Sequence, residues 1–272
     1  MRFVFLGTGT SAGIPAIGLN DAASASTDPR DKRLRTSAAL IFDDDAGQER
    51  VVLFDCGPDL RQQALRAGLT RCDAILITHN HVDHIWGLDE VRRFNAVMQA
   101  PIDIYAEERT LKDVKRVYKH IFDRENNVND SFVAHLIAHT IEPDVPLELF
   151  GLRFTPIRLL HGRLPILGFR VDHPGNPDNG PDFLPLAYCT DVSAIPPETW
   201  PHLQNLGTLV LDALRIRHHP THLTIDRAVE IAQQVEADQT WFVHMSNPVV
   251  HADVDADLPE RINLAYDGLI LE

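Results

Sequence analysis

Three imidazoles and one carboxylate fall within six consecutive residues of this sequence, at His79, His81, Asp83 and His84. They directly follow an apolar run at 74–77, which is typical of a buried strand. Imidazole nitrogen and carboxylate oxygen together suit zinc, manganese or iron. Because the backbone must turn between the four side chains, His79 and His81 can face one ion while Asp83 and His84 face a second ion. The alternative, a loop of solvated histidines, is disfavoured because ligands spaced this densely after a buried strand are rarely without a role.

Apolar runs bounded by turn residues predict the elements that position this cluster. Asp59, with Gln62 at the capping-box position, is expected to cap one helix, and Thr224 is expected to cap another. The predicted strands are 2–6, 37–42, 51–54, 74–77, 101–105, 186–190, 208–211 and 240–243, with a further hairpin in 145–160; the predicted helices are 59–67, 88–98, 111–122 and 224–235; the predicted long loops are 13–36 and 172–182. Because the elements alternate without a short repeat or a linker, we expect one layered α/β domain over residues 1–272 with a mixed sheet.

The charge balance restricts the class of partner. The chain has 272 residues, with 25 Lys and Arg against 39 Asp and Glu, a formal net charge of -14. An acidic surface repels nucleic acid, whereas a small anionic substrate can still enter a cleft in which metal cations reverse the field. Three cysteines without paired spacing, no signal peptide and no apolar run of membrane-spanning length predict a cytoplasmic protein without a membrane partner.

The segment THNHVDHIWGLDEV resembles the signature of metallo-β-lactamase-fold hydrolases. Four further motifs of that family follow the expected order, with Asp55 in VVLFD, His161 in LLHG, Asp191 in YCTD and His244 in FVHMSN. The resemblance implies a four-layer αββα sandwich that holds two divalent metal ions at one edge of its sheets. It implies that Asp55 orients a ligand rather than binding metal.

The same resemblance implies a complete set of metal ligands. These are His79, His81 and His161 for one ion, Asp83, His84 and His244 for the other, and Asp191 as a bridge between both, together with a water or hydroxide. Taken singly, His161 and His244 could be ordinary histidines and Asp191 a turn or cap residue. Both histidines, however, follow apolar strands at the expected places.

A two-metal site of this kind predicts hydrolysis. Two cations about 3.5–4 Å apart lower the pKa of a bridging water to near neutrality and stabilise charge on the attacked group. The predicted metals are zinc or manganese, and iron also suits the ligands. Asp83 is assigned to the catalytic residues as well as to the ligands. The leaving group needs a proton, and His222 is the candidate donor, because phosphodiesterase branches of the family have a general acid in a comparable place; His218 and His219 are the alternatives.

The opening GTGTSAGIP and the segment STDPRDKRLRTSAAL resemble the branch that contains the phosphoribosyl cyclic phosphate phosphodiesterase. Asp191 argues against the common zinc β-lactamases, which place a cysteine there. We therefore expect hydrolysis of a small cyclic or diester phosphate, such as 5-phosphoribosyl 1,2-cyclic phosphate, by a protein that forms a homodimer as many relatives do. A ribonuclease Z-like nuclease is one alternative, disfavoured by the charge and by the lack of a basic arm. A non-catalytic binding or carrier protein is another, for which incomplete ligands would be expected.

One departure from that branch concerns a second metal site. Its members often hold a structural zinc through cysteines after the first glycine loop and a histidine near the fifth motif. In this chain the corresponding stretch, GLNDAASAST, has no cysteine, and Asn247 stands in place of the histidine. The sequence therefore predicts no structural zinc.

Overall fold

The computed structural model describes residues 1–123, 132–173 and 180–272, and within them the chain forms two sheets of seven strands each. The first sheet comprises β1 (Arg2–Gly7), β2 (Ser37–Asp43), β3 (Glu49–Phe54), β4 (Ala74–Leu76), β5 (Ile102–Ala106), β6 (Leu136–Thr140) and β14 (Ile270–Leu271). The second comprises β7 (Leu147–Leu149), β8 (Leu152–His161), β9 (Leu164–Asp172), β10 (Leu186–Cys189), β11 (Thr208–Asp212), β12 (Gln239–Val243) and β13 (Ile262–Leu264). The strand orders are β14-β1-β2-β3-β4-β5-β6 and β13-β12-β11-β10-β9-β8-β7.

Helices lie on the outer faces of the two sheets. They are α1 (Ala22–Ala25), α2 (Leu60–Ala67), α3 (Val82–Ile85), α4 (Arg92–Met98), α5 (Glu108–Val117), α6 (Lys119–Phe122), α7 (Ile225–Val235) and α8 (His251–Asp257). Among the described residues, no helix combines the length and the apolar character needed to cross a membrane.

Alternation of side chains along the strands builds the layers. In β1, Phe3 and Phe5 lie in the core between the sheets, whereas Val4 and Leu6 lie in the core that α2, α4 and α5 share with the first sheet. The third core lies between the second sheet and α7, where Ala228 is fully buried. The result is the predicted αββα sandwich.

The direction of the strands decides where functional side chains can meet. β3, β4 and β5 run parallel to one another in the first sheet, as do β10, β11 and β12 in the second. The carboxyl ends of each set therefore share one edge of their sheet, where ligand sites of parallel sheets are commonly built.

One predicted helix cap and one predicted helix start differ from the structure. Asp59 precedes α2, but its carboxylate makes no capping hydrogen bond and instead accepts from the backbone and guanidinium of Arg35 at 2.9 and 2.8 Å. Helix α4 begins at Arg92 rather than at residue 88, because residues 87–91 form turns in which the Gly87 amide donates to Cys56 O at 2.7 Å. By contrast, the predicted cap at Thr224 is confirmed, since its side chain accepts from the Arg227 amide.

Of the two predicted long loops, one can be compared with the structure along its whole length and the other only in part. Residues 13–36 are mainly loop, interrupted by α1 and by a single 3-10 turn at Pro29–Asp31. Of the predicted loop 172–182, residues 174–179 lie outside the described residues. Strand β9, by contrast, is among the elements that the sequence patterns did not predict, although it pairs with β8 along its whole length.

Candidate metal centre

The side chains singled out in the sequence follow the carboxyl ends of strands in both sheets. The histidine-rich turn follows β4, Asp55 follows β3, and His161 ends β8. Asp191 follows β10 and His244 follows β12, so the second sheet places two more side chains opposite the histidine-rich turn. All of these strand ends lie at the same edge of the sandwich.

Three of these residues have backbone conformations that amino acids other than glycine rarely adopt. The φ angles of Asp55, Asp191 and His244 are 61°, 60° and 60°, in the left-handed region. Each conformation reverses the chain immediately after a buried strand and is held by its surroundings at a cost of about 1–3 kcal/mol. Of the nine described non-glycine residues with positive φ, these three thus lie together at this edge of the sandwich.

The structure brings His79, His81 and His161 into one group. One ring nitrogen of each lies within 4.8 Å of those of the other two. The ring centroids are separated by 4.5 Å for His79 and His81, 5.0 Å for His81 and His161, and 5.5 Å for His79 and His161. This spacing allows three nitrogens to bind one cation.

A second group contains Asp83, His84, Asp191 and His244, all buried, with one ligand atom of each within 4.8 Å of the others. The Nε2 atom of His84 lies 3.4 Å from Asp83 Oδ2 and 3.2 Å from Asp191 Oδ2. The Nε2 atom of His244 lies 3.8 Å from Asp83 Oδ2 and 3.2 Å from Asp191 Oδ1. Each oxygen of Asp191 therefore faces a different imidazole.

Unsatisfied buried atoms test whether these residues fit a metal. The Nε2 atoms of His79, His84 and His244 are buried and have no hydrogen-bond partner. Leaving such groups unpaired costs about 1–3 kcal/mol each, so native proteins rarely do so without a reason. Nitrogen atoms that approach carboxylate oxygens without hydrogen bonding to them suit coordination of a shared divalent cation, and the donor set suits zinc, manganese or iron.

The two ligand groups differ in the pKa values of their imidazoles and in their carboxylate charge. Burial holds the pKa of His79 well below its usual value and lowers the pKa of His161 to about 4, so both rings are neutral and able to bind metal at pH 7. Burial would also lower the pKa of His244, but Asp191 and other nearby carboxylates raise it to about 8. Burial would raise the pKa of Asp191, yet the facing imidazoles hold it well below its usual value. The second group therefore contains the fixed negative charge that a cation requires.

Outer hydrogen bonds orient the imidazoles. The Nδ1 atom of His84 lies 2.7 Å from Asp55 Oδ2, that of His79 lies 2.9 Å from Thr78 Oγ1, and that of His161 lies 2.7 Å from Thr221 O. Each bond occupies Nδ1 and leaves Nε2 for the centre of the site. Asp55 thus lies where it can orient His84, the role that the family resemblance implies. Burial raises the pKa of Asp55 despite the hydrogen bonds that it accepts from His84 and Thr78.

Two glycines allow the histidine-rich turn to pack closely on the loop after β3. A Cβ atom on Gly57 would lie 2.1 Å from Asp83 O, and one on Gly87 would lie 2.2 Å from Gly57 O. The His84 carbonyl accepts from the Cys56 amide at 2.7 Å in the same contact. Backbone packing therefore fixes the turn that carries Asp83 and His84.

His222 is the one of the three candidate proton donors that lies against the two groups. Its ring centroid is 4.6 Å from that of His161 and 4.7 Å from that of His244, with which it stacks at 14°. His219 lies behind it, with a centroid distance of 5.1 Å, and His218 is exposed. Of the three candidates, His222 therefore lies beside the two ligand groups, and His218 and His219 lie farther from them.

Asp212 is a site residue that the sequence analysis missed. It is fully buried, and its Oδ1 lies 3.3 Å from His222 Nδ1 and 3.4 Å from His244 Nδ1. Its Oδ2 accepts from the Leu223 amide at 3.0 Å. The sequence contained a signal, because TLVLD ending at Asp212 repeats the pattern of VVLFD ending at Asp55, an apolar strand closed by an aspartate.

With this geometry established, the chain can be compared with known proteins. The family model of the β-lactamase superfamily domain matches residues 50–245. The chain belongs to the β-lactamase superfamily. Within it, the chain is similar to a crystal structure of a diphosphatase of the PhnP family, with 39% identity and a TM-score of 0.87, covering 100% of this chain and 97% of that one.

Curated relatives in the superfamily carry other activities. An octanoyltransferase of Porphyromonas gingivalis is 35% identical over 271 residues, which are 99% of this chain and 51% of that protein. A ribonuclease BN of Cronobacter sakazakii is 33% identical over 182 residues, covering 65% of this chain and 51% of that protein. The chain thus spans about half the length of these curated relatives.

Residues 18–27, the stretch GLNDAASAST without cysteine, contact the loop after His244 through side chains. Asn247 Nδ2 donates to Ser24 Oγ at 3.2 Å, and the Asp21 carboxylate accepts from the Ser24 amide at 2.9 Å. Side-chain hydrogen bonds thus join the segment around Ser24 to the loop that follows His244.

Proposed function

We propose that this protein is a dinuclear metal-dependent phosphodiesterase that hydrolyses a small phosphate diester, cyclic or open. The observation that carries the proposal is the convergence of two ligand groups, with unpaired buried Nε2 atoms, beside His222, which belongs to neither of these two groups. His79, His81 and His161 would hold one divalent ion, Asp83, His84 and His244 the other, and Asp191 both.

Bound divalent ions would supply Lewis acidity at the phosphoryl oxygens and lower the pKa of a bound water. Residues of the protein would donate the proton and orient the groups around the metals. His222 lies at the margin of both groups, where it would donate a proton to the leaving oxygen. The Asp212 carboxylate would accept a hydrogen bond from His222 Nδ1, so that His222 Nε2 would face the substrate. Asp55 would keep His84 in its ligating orientation.

A diphosphate linkage is a second candidate substrate. The similar PhnP-family protein is described as a diphosphatase, and its likeness covers the whole of this chain. Both reactions break a P–O bond of a phosphoryl group with two ester or anhydride links, so the same ligands and proton donor would serve. The 5-phosphoribosyl 1,2-cyclic phosphate expected from the sequence remains our most specific diester substrate.

The octanoyl transfer of the longer relative is not supported by the thiols of this chain. Covalent acyl transfer through cysteine requires an accessible thiolate. Cys56, Cys72 and Cys189 are all buried, and burial raises the pKa of the first two well above the usual value and that of Cys189 to about 12. We propose that this activity belongs to the half of the relative that the present chain does not span.

Cleavage of transfer RNA is disfavoured by charge. The ribonuclease BN relative supports a nuclease on sequence grounds. However, the net charge of -14 opposes the binding of a long polyanion, whose affinity depends on contacts between phosphates and basic side chains. We therefore expect small diesters to be cleaved far faster than precursor transfer RNA.

The test is hydrolysis of bis-p-nitrophenyl phosphate, a diphosphate diester and precursor transfer RNA by protein depleted of metal and then loaded with manganese, zinc or iron. We expect release of p-nitrophenol that depends on added metal. His81→Ala should lose both bound metal and activity, whereas His139→Ala, a histidine on β6, should keep both. Failure of all three metals to support hydrolysis of either small substrate would refute the proposal.

A further inference from the structure

A strongly basic loop borders the candidate centre in an otherwise acidic protein. Residues 213–222, here called the basic loop, follow Asp212 with the sequence ALRIRHHPTH. The loop contains two arginines, three histidines and no acidic residue, although the whole chain has 39 Asp and Glu against 25 Lys and Arg. A local charge opposite to that of the whole chain calls for a physical reason.

The basic loop keeps its shape through its own contacts. Its base is closed by the Leu214 amide donating to Leu223 O at 3.1 Å and by the Ile225 amide donating to Arg215 O at 3.0 Å. The guanidinium of Arg215 donates to Arg217 O and to His218 O, both at 3.1 Å. Arg215 therefore stabilises the conformation of the basic loop. The exposed side chain of Arg217 does not share in these hydrogen bonds.

A turn from the second sheet contributes another arginine beside this loop. His161 Nδ1 lies 2.7 Å from Thr221 O, and a Cβ atom on Gly162 would lie only 2.8 Å from Thr221 Cγ2. The turn after β8 thus packs directly on the basic loop, and the next residue, Arg163, is exposed. Arg163 and Arg217 therefore flank the segment that carries His222.

Neither arginine forms an ion pair with a carboxylate of the described residues. Among the residues that the structure describes, no ion pair involves Arg163 or Arg217, whereas Arg158 and Arg170 pair with Glu107 and Asp172. Two exposed, unpaired guanidinium groups beside a centre that would hold two dications raise the local positive potential. An anion with more charge than one phosphodiester would relieve this repulsion.

We infer that Arg163 and Arg217 bind a second anionic group of the substrate, a phosphate or a carboxylate, on the leaving-group side of the scissile phosphate. This inference rests on the proposed function, in which His222 protonates the leaving oxygen. Arg217 lies in the basic loop with His222, and Arg163 follows the turn that packs on this loop, so an anion bound by both would lie on the side of the leaving oxygen that His222 would protonate. The guanidinium fork suits a phosphate or carboxylate through paired hydrogen bonds.

Three matched diesters test the inference with the manganese-loaded enzyme. The first, phenyl 4-nitrophenyl phosphate, carries no carboxylate and is here called the neutral probe because it has no charge beyond that of the diester. The second, phenyl 3-carboxy-4-nitrophenyl phosphate, carries a carboxylate on the leaving phenol. The third, 3-carboxyphenyl 4-nitrophenyl phosphate, carries it on the retained phenol. Values of kcat/KM are measured for the wild type, for Arg163→Ala combined with Arg217→Ala, and for Arg93→Ala, which removes an exposed arginine of α4 as a control.

We expect the wild type to prefer the second diester over the other two by about tenfold or more, the effect of one or two charged hydrogen bonds. The double variant should lose this preference while its rate on the neutral probe changes by less than about threefold, and added salt should weaken the wild-type preference. Arg93→Ala should behave as the wild type.

Three results would overturn the inference. The first is a wild type that cleaves the neutral probe without preferring the anionic leaving group, which leaves the proposed phosphodiesterase intact. The second is a rate pattern that does not follow the charge on the leaving phenol: either the double variant cleaves all three diesters more slowly by the same factor, or the wild type prefers the third diester. The third is a wild type that cleaves none of the diesters, which removes the proposed function and the second anionic subsite together.

Discussion

Replacing His222 by alanine separates proton donation from metal binding. The His222 side chain is only 9% exposed and lies between the rings of His161 and His244. Both ligand groups assigned to the metals are complete without it. General acid catalysis contributes about 10²–10⁴-fold, or about 3–5 kcal/mol of activation free energy. We therefore expect turnover to fall by that factor while bound metal stays unchanged.

The size of the loss should depend on the leaving group. A good leaving group such as 4-nitrophenolate departs with little need of a proton, so His222→Ala should have its smallest effect there. An alkoxide requires protonation, so the full factor of about 10²–10⁴ should appear with an alkyl diester. The assay is kcat for diesters of increasing leaving-group pKa, with metal content measured on the same samples. His218→Ala, which removes an exposed neighbour, is the matched control.

Two results would refute this reasoning. Wild-type rates of the variant on the alkyl diester would show that His222 donates no proton. Loss of metal from the variant would show instead that His222 is a ligand, an arrangement that its proximity to His161 and Asp191 permits. In the first case the slope of log kcat against leaving-group pKa would not steepen relative to the wild type.

Further predictions concern the support of the site. Asp212→Asn keeps the shape beside His222 but removes the charge, and should weaken metal affinity or turnover by about 10–100-fold in titration and rate assays. Gly57→Ala places a Cβ 2.1 Å from Asp83 O and should lower both the unfolding midpoint and the metal content. Chelation should lower Tm, and added zinc or manganese should restore it, because ions bound only to the native state stabilise it.

A stability prediction concerns Asp73, away from the site. Burial opposes its ionisation, but hydrogen bonds from Arg71, the Val51 amide and Arg50 lower its pKa overall. A depressed carboxyl pKa stabilises the fold above the unfolded value of about 3.9, and this stabilisation is lost as pH falls through the folded-state pKa. Asp73→Asn should therefore cost about 1.5–3 kcal/mol at pH 7 in urea unfolding, and less below pH 4. An equal loss at both pH values would contradict the reasoning.

Local patterns were sufficient to predict much of the site. His79 to His84 form a dense cluster in the sequence, and apolar strands precede Asp55 and His244, so motif and strand pattern point to the same residues. The hairpin of β2 and β3 was predictable for the same reason, since two apolar runs flank a polar turn. Features that depend on neighbours within a few residues are available to sequence reasoning.

Features set by distant contacts were not predictable. Asp59 is a favoured capping residue, but Arg35, distant in sequence, takes up its carboxylate. Residues 87–91 have helical character, yet the close approach of Gly87 to Gly57 O holds them in turns. The left-handed conformations of Asp191 and His244 likewise arise from packing at the edge of the sandwich, because neither residue type requires a positive φ on its own.

The two sheets supply the centre in corresponding ways. In the first, Asp55 follows β3, and its carboxylate contacts Nδ1 of His84, a proposed ligand in the turn after the neighbouring strand β4. In the second, β11 ends at Asp212, whose carboxylate faces Nδ1 of His244 after the next parallel strand. The proposed bridging Asp191 comes from the second sheet and faces His84 of the first. Its distance to His84 is therefore set by the packing of one sheet on the other, through aromatic contacts such as that of Phe54 with Tyr188 at 5.0 Å. The core between the sheets thus positions the metal ligands as well as stabilising the fold.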